Sequence, residues 1–238
     1  MRWNNNMIES IPWGKAIACR EEKEVVGSRI ASMVRDGDVL GIGSGSTAYV
    51  ALLAIAGRVE REGLRIKAIP TSLEISMACV RLGIPLTGLD RYRPDWTFDG
   101  ADEIDPCLNL IKGRGGAMFR EKLIINASLR TYIVADASKM VSRLGERFPV
   151  PVEVFPQAVT YVSGALRELS PASIEMRMAS RKDGPVITEN GNLILDLRFD
   201  GIPSGAERAI KSITGVIESG LFEGYPVEIV SDRRPVQS

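Results

Sequence analysis

Apolar and polar positions in the first half of the chain follow helical and strand-like periods in turn. After Arg20 the apolar residues recur at intervals of three and four, which predicts a helix that ends at Asp36-Gly37-Asp38. Short apolar runs and further helical patterns then alternate, which indicates a parallel, doubly wound, Rossmann-like sheet. The predicted strands are 39–42, 66–70, 84–86, 96–98 and 131–135, and the later helices are 48–56, 73 to Gly83 and 117–128.

The pattern changes after Phe148-Pro-Val-Pro151. A strand, a helix, an alternating segment, a second strand, a helix and a third strand follow, and this βαββαβ order predicts a small ferredoxin-like α+β domain. Asn190-Gly191 predicts a type I′ hairpin. The predicted segments are strand 152–155, helix 159–169, alternation 174–178, hairpin strands 186–188 and 193–195, helix 206–212 and strand 216–222.

These patterns divide the chain into two predicted domains. Residues 1–147 plus 218–238 form the Rossmann-like catalytic domain, with 227–230 as a strand that returns to its sheet. Residues 148–217 form the smaller domain, which we expect to serve assembly or to cover the site. Residues 1–15 show no clear period and are interpreted as an extension.

Charge and composition narrow the classes of partner. Thirty basic and thirty acidic residues cancel among 238, with no long run of either sign, which argues against nucleic acid or an anionic membrane surface. No apolar run approaches the roughly 20 residues of a membrane span, and the first residues lack the apolar core of a signal peptide. We therefore expect a cytoplasmic protein.

Histidine is absent from the chain, which removes His-based triads and His-containing zinc motifs. Cys19, Cys79 and Cys107 are odd in number and widely spaced, so reduced thiols are expected rather than disulfides or metal ligands. Proton chemistry must therefore use carboxylates or lysines, and neither a metal nor a cofactor is predicted.

A candidate anion site follows the first strand. The turn Gly43-Ser44-Gly45-Ser46-Thr47 leads into a helix, an arrangement that points backbone N–H groups at an anion. With Ala48 it also matches the loose GxGxxA dinucleotide fingerprint, but the second strand runs into Thr71-Ser72 instead of an acidic residue. Three hydroxyls favour a phosphomonoester over a dinucleotide, and a plain tight turn stays the third alternative.

A second candidate site lies between Phe98 and Lys122. Asp99 and Asp102 follow a predicted strand, Lys112 opens a glycine-rich turn, and Glu121 comes nine residues later in a predicted helix. Three acidic residues within five, Glu103 among them, add nothing to packing, but a site that deprotonates a polyhydroxy substrate would use such groups. A base of this kind works near neutral pH if desolvation raises its pKa above the ordinary value of about 4.3.

Several motifs together resemble the ribose-5-phosphate isomerases of type A, over nearly all of the chain after about Lys23. They are Gly43–Ala48, Thr71-Ser72, Asp99-Gly-Ala-Asp-Glu103, Lys112–Gly116 with Arg120–Lys122, Asp136–Lys139 and Phe148–Glu153. The resemblance implies the same two-domain fold, a homodimer or homotetramer, and a place in the pentose phosphate pathway. It implies interconversion of D-ribose 5-phosphate and D-ribulose 5-phosphate through an enediol(ate), without a metal.

The resemblance also implies roles for individual residues. Glu121 matches the family's proton-transferring base, and Asp99 and Asp102 match its substrate-binding and ring-opening carboxylates. Lys112 matches the cation that holds the sugar oxygens. The implied substrate contacts are Lys23, which reaches the phosphate in some members, and Ser44, Gly45, Ser46, Thr47, Gly100, Ala101, Gly113, Arg114, Gly115 and Lys139.

Two residues depart from the family pattern: Ser44 stands where Thr is common, and Arg114 stands where many members have Gly. Isomerisation of another phosphosugar stays an alternative, as does an acyl-CoA transfer in which Glu121 is the nucleophile. A sugar-phosphate sensor without turnover is a third, but such regulators need a DNA-binding helix-turn-helix that about twenty N-terminal residues do not supply.

Overall fold

The computed structural model describes residues 17–232, and the extension predicted at 1–15 lies outside them. The described chain forms six α-helices and twelve strands. The helices are α1 (Arg20–Met33), α2 (Ser46–Glu62), α3 (Leu73–Arg81), α4 (Met118–Ala127), α5 (Val159–Leu166) and α6 (Ala206–Lys211). The strands are β1 (Val39–Ile42), β2 (Lys67–Pro70), β3 (Trp96–Asp99), β4 (Glu103–Ile104), β5 (Leu110–Ile111), β6 (Thr131–Ala135), β7 (Val150–Val154), β8 (Ser173–Met176), β9 (Leu193–Arg198), β10 (Val216–Ser219), β11 (Leu221–Phe222) and β12 (Val227–Ser231).

Contacts group the chain into two compact units. Among the described residues, one unit contains 17–100, 123–137 and 227–232, and the other contains 101–122 and 138–226. The division into one domain of residues 1–147 plus 218–238 and another of residues 148–217 stays a prediction.

The first unit is built on a five-stranded parallel sheet with the order β12-β6-β3-β1-β2. The strands are short and almost wholly buried, as expected for a parallel sheet covered by helices. Ile30 of α1, Leu40 of β1, Leu52 of α2 and Phe98 of β3 lie in one core cluster. The predicted parallel, doubly wound sheet is confirmed, including the return of the chain as β12 beside β6.

The strand predicted at 84–86 is wrong. Leu86 makes only an isolated bridge with Ala68 of β2. Two backbone hydrogen bonds hold this segment, from Ala68 N–H to the Pro85 carbonyl and from Thr87 N–H to the Ala68 carbonyl. Pro85 has no N–H to extend the ladder, so the segment leaves the sheet edge after one bridge.

The second unit contains a four-stranded antiparallel sheet with the order β10-β7-β9-β8. Together with α5 and α6 this is the predicted βαββαβ arrangement, which is confirmed. Alternate residues of β7 and β9 pack in one core with residues of both helices. The core contains Val150, Val152 and Val154 of β7, Leu195 and Leu197 of β9, Val162 and Leu166 of α5, and Ile210 of α6. A second small sheet, β11-β5-β4, was not predicted because its strands have only two residues each.

Two turns differ from the prediction. No strand forms at 186–188, and Asn190 keeps a negative φ, so the predicted type I′ hairpin is wrong. Thr188 Oγ1 instead accepts N–H bonds from Asn190 and Asn192, which gives the backbone a local alternative to strand pairing. The strand predicted at 216–222 is divided at Gly220, where a β-carbon would lie 2.0 Å from the Lys112 carbonyl oxygen.

Candidate active site

The second unit brings Lys112 and Glu121 together. Lys112 directly follows β5, and Glu121 lies in the first turn of α4. The Lys112 Nζ lies 3.3 Å from the Glu121 Oε1, and the two side chains are only 2% and 6% exposed. Two opposite charges are tolerated in such a dry place only when they pair closely. A carboxylate beside an ammonium group, both shielded from water, can move a proton and stabilise a developing oxyanion.

The glycine-rich turn after Lys112 has a defined backbone conformation. The Gly116 N–H donates to the Gly113 carbonyl at 2.9 Å, and the Arg114 N–H donates to Oδ2 of Asp102 at 3.0 Å. The Asp102 N–H in turn donates to the Ile111 carbonyl at 2.8 Å. The predicted carboxylate Asp102 therefore lies directly against the predicted turn.

Arg114 and Lys139 lie over the same aromatic ring. The Arg114 guanidinium carbon is 5.9 Å from the centre of the Phe148 ring, and the Lys139 Nζ is 5.8 Å from it. Both distances are within the range of cation–π attraction. Arg114 is exposed and Lys139 is half-buried, so both cations remain accessible to an anion.

In the first unit, the turn after β1 ends at the start of α2. Gly45 precedes that helix with φ +90°, a conformation that favours glycine. Lys23 belongs to α1 and its side chain is buried. Its Nζ donates to Ser46 Oγ at 2.9 Å. This places a cation beside the first N–H groups of α2, where the helix dipole also attracts negative charge.

Asp99 ends β3 and is held by backbone N–H groups. Its Oδ1 accepts from the N–H of Ser44 at 3.1 Å and from the N–H of Gly100 at 2.7 Å. The Ser44 hydroxyl lies 2.7 Å from that of Thr71. A β-carbon on residue 43 would lie 2.2 Å from the Asp99 carboxylate, so only glycine fits there.

The predicted site residues are distributed over both units. The first unit contains Lys23, Ser44, Gly45, Ser46, Thr47, Asp99 and Gly100, and the second contains Ala101, Asp102, Lys112, Gly113, Arg114, Gly115, Glu121 and Lys139. Within each unit the neighbours described above are in contact. Their roles stay predictions.

No group of three or more His, Cys, Asp or Glu in residues 17–232 could hold a metal ion. None of the helices in this range is long and apolar enough to cross a bilayer. All three cysteines are free thiols, and burial raises the pKa of Cys79 to about 12.

Comparison with known families gives the chain its relatives. The family model for ribose 5-phosphate isomerase A (phosphoriboisomerase A) matches residues 67–234. The chain belongs to the ribose 5-phosphate isomerase A family. A ribose-5-phosphate isomerase A from Thermosynechococcus vestitus is 45% identical over 209 residues, which cover 86% of this chain and 88% of the relative.

Solved structures of the ribose 5-phosphate isomerase A family have the same fold. The enzyme from Methanocaldococcus jannaschii superposes with a TM-score of 0.84 at 40% identity, covering 89% of this chain and 95% of the other. A second D-ribose-5-phosphate isomerase, solved in complex with phospho-erythronic acid, has a TM-score of 0.84 at 35% identity. That comparison covers 89% of this chain and 94% of the other.

One expectation about this isomerase sequence is corrected by the structure. The prediction that Glu103 adds nothing to packing is wrong, because its carboxylate is buried and accepts three backbone N–H bonds. The donors are Gly145 at 2.6 Å, Arg147 at 2.6 Å and Phe148 at 2.8 Å. Glu103 therefore fixes the loop that carries Phe148, because a carboxylate satisfies several orphan N–H groups at once.

Sequence reasoning also missed residues that support the site. Thr71 contacts Ser44, and its position after the second strand was the available signal. Lys122 is buried and bonded to Glu207 and Glu218, although it belongs to the same short motif as Glu121. Arg177 contacts the glycine-rich turn from more than sixty positions away, and nothing local in the sequence marks it.

Proposed function

We propose that this protein interconverts D-ribose 5-phosphate and D-ribulose 5-phosphate through an enediol(ate) intermediate. The observation that carries the proposal is the buried pair of Lys112 and Glu121, 3.3 Å apart. Membership of the ribose 5-phosphate isomerase A family supports it. So does the relative with phospho-erythronic acid, a phosphorylated sugar acid.

Glu121 is the proposed base. Moving a carbonyl from C1 to C2 requires a proton to leave C2 and a proton to arrive at C1, on the same face of the sugar. One carboxylate can remove the first and deliver the second, which avoids separate acid and base groups. Its low exposure keeps competing water away from the carbanionic intermediate.

Lys112 and the turn after it are the proposed electrophile. Removal of the C2 proton places negative charge on the oxygen of the former carbonyl. A buried ammonium and preorganised N–H groups stabilise such an oxyanion far more strongly than water does. The Lys112 backbone is itself fixed, since its N–H donates to the Gly220 carbonyl at 2.8 Å.

The carboxylates and the loop after β1 have proposed binding roles. Asp99 and Asp102 would accept hydroxyl protons and assist ring opening. Asp99 already accepts two backbone N–H bonds and Asp102 accepts one, and these bonds fix their positions. The loop 44–47 with Lys23 would receive the phosphate, since it combines hydroxyls, a cation and a helix N-terminus. Arg114 and Lys139 would add further cationic contacts.

The remaining proposals concern the setting of the reaction. We assign it to the non-oxidative pentose phosphate pathway, in the cytoplasm, by a homodimer or homotetramer that needs no cofactor. The balanced charge of the chain supports the location, and the family resemblance supports the assembly.

Isotope exchange tests the reaction and its route together. The protein is incubated with ribose 5-phosphate in deuterated water, and the products are followed by NMR. We expect ribulose 5-phosphate that carries solvent deuterium at C1. Glu121→Gln should form this product, and incorporate deuterium, far more slowly than the wild type. Absence of ribulose 5-phosphate with the wild-type protein would overturn the proposal, and covalent labelling of Glu121 by a CoA thioester would favour acyl transfer instead.

A further inference from the structure

The carbonyl side of the glycine-rich turn is anchored by one arginine. Arg177 Nη1 donates to the Gly113 carbonyl at 3.0 Å and to the Arg114 carbonyl at 2.9 Å. Two successive peptide groups of the turn therefore direct their oxygens at the same guanidinium group. Arg177 follows β8 and lies outside every motif by which the chain resembles its family.

The guanidinium group is itself held in one orientation. Its Nε donates to Oδ2 of Asp196 at 2.8 Å, and its Nη2 donates to Oδ1 of the same carboxylate. This two-point contact fixes the plane of the guanidinium group, which a single contact does not. The two side chains are 18% and 19% exposed, so water competes only weakly. The Arg177 backbone is tied as well, to Ile194 and Val186.

Because Arg177 fixes these two carbonyls, it also fixes the direction of the N–H groups that belong to the same peptide groups. The peptide bonds between residues 17 and 232 are trans, so the C=O and N–H of one group point opposite ways. Since the Gly113 and Arg114 carbonyls point at Arg177, the N–H groups of Arg114 and Gly115 point away from it. The Arg114 N–H does so, and it donates to the carboxylate of Asp102.

We infer that Arg177, oriented by Asp196, is a positioning residue for the isomerisation: it holds the Arg114 N–H on the Asp102 carboxylate and turns the Gly115 N–H toward the sugar oxygens on the Asp102 side. This inference rests on the proposed function. A cation bonded to a carbonyl also polarises the peptide group, which makes its N–H a stronger donor. The stabilisation acts on the enediolate, whose oxygens carry more charge than those of the sugar.

The first test compares catalysis by Arg177→Met, Arg177→Lys and Asp196→Asn with the wild type. Arg177→Met keeps the length of the side chain but removes the donors, and we expect kcat to fall by about 10- to 100-fold with KM changed by less than about threefold. Lysine keeps the charge and should restore part of kcat. The kcat of Asp196→Asn should lie between those of the wild type and Arg177→Met.

The second readout is affinity for phospho-erythronic acid, whose planar carboxylate resembles an enediolate. Arg177→Met should weaken its inhibition by a factor similar to the loss in kcat, whereas a residue needed only for folding would lower the active fraction and leave the inhibition constant unchanged. Arg65→Met is the matched control, since Arg65, which belongs to the first unit, also makes a two-point contact with an aspartate, Asp36.

The outcomes separate the inference from the proposed function. No turnover of ribose 5-phosphate by the wild-type protein would overturn both. An active wild type with unchanged kcat and inhibition constant in Arg177→Met would overturn the inference alone. If Arg177→Met does not fold, kcat and the inhibition constant are measured for Asp196→Asn and Arg177→Lys instead. Wild-type values of both quantities in both variants would contradict the inference.

Discussion

At the scale of single residues, Gly43 decides how closely Asp99 can approach the loop after β1. A β-carbon at this position would lie 2.2 Å from the Asp99 carboxylate and 2.5 Å from its Cα. One of the obstructing atoms is backbone, so a rotamer change cannot relieve the clash. The contact between Asp99 Oδ1 and the Ser44 N–H depends on the same close approach.

We therefore expect Gly43→Ala to displace Asp99 and to lower kcat/KM by at least about tenfold, with a loss in the free energy of unfolding of about 1–3 kcal/mol. Steady-state kinetics and urea unfolding measure the two effects. Gly164→Ala in α5 is the control, since its β-carbon meets nothing within 4 Å and alanine favours a helix. Equal kinetics for Gly43→Ala and the wild type would contradict the placement of Asp99 in the site.

Glu121 is a residue whose chemistry and packing can be separated by an isosteric change. Glu121→Gln keeps the size of the side chain but removes the basic oxygen, so we expect kcat to fall by about 10²- to 10⁴-fold while substrate binding is retained. Rapid-mixing kinetics and ligand titration distinguish the two effects. Glu24→Gln, which removes an exposed carboxylate from α1, should leave both unchanged. Wild-type turnover in the Glu121 variant would refute its role as base.

At the scale of secondary-structure elements, the start of α4 is held by the residue next to the proposed base. The Lys122 Nζ donates to Glu207 at 2.6 Å, to Glu218 at 3.0 Å and to the Leu221 carbonyl at 2.8 Å. Neighbouring residues on a helix point in different directions, so this buried network fixes the rotation of α4 while Glu121 contacts Lys112. Lys211 extends the network through Glu218.

The network predicts a pH dependence of stability. Burial acts to raise the pKa of Glu218, but the charge of Lys122 and hydrogen bonds from Ser219, Lys122 and Lys211 together lower it below the ordinary value of 4.5. A lowered folded-state pKa means that the carboxylate adds stability at neutral pH, and that this stability is lost as the pH falls from about 4.5 through the folded-state pKa.

Urea unfolding of the wild type and Glu218→Gln between pH 7 and pH 3 measures this contribution. We expect the wild type to be more stable by about 1–3 kcal/mol at pH 7, with the difference shrinking below pH 4.5. Glu62→Gln is the control, since Glu62 pairs with Arg58 at an exposed position and its loss should matter less. A pH-independent difference would contradict the assigned role of Glu218.

At the scale of the whole molecule, the sequence predicted most elements because their signals are local. Buried parallel strands are short apolar runs, and the βαββαβ order follows from alternation that each segment shows by itself. The wrong predictions concern segments whose conformation is determined by side chains from distant parts of the chain. Glu153, for example, is buried and accepts hydrogen bonds from Thr188, Asn190 and Asn192, a contact that replaces the hairpin the Asn-Gly pair predicts.

In the candidate site, too, residues in local motifs could be predicted, whereas contacts between residues distant in sequence could not. Motifs marked Asp99, Asp102, Lys112 and Glu121, but acidic residues look alike in sequence whether they serve catalysis or packing. Glu103 has a packing role because the fold places the N–H groups of Gly145, Arg147 and Phe148 around its carboxylate. Arg177 could not be found at all, because its contact with the turn exists only once β8 is placed beside β9.

The predicted assembly is the remaining property of the whole molecule. Large apolar side chains stay exposed in the described residues, among them Tyr161 at 64% and Met178 at 61%, and burying such surface between copies would be favourable by roughly 25 cal/mol per Å². We expect light scattering in solution to give two or four times the chain mass of 26.0 kDa. A single-chain mass that persists at every concentration up to that used for kinetics would contradict the homodimer and the homotetramer alike.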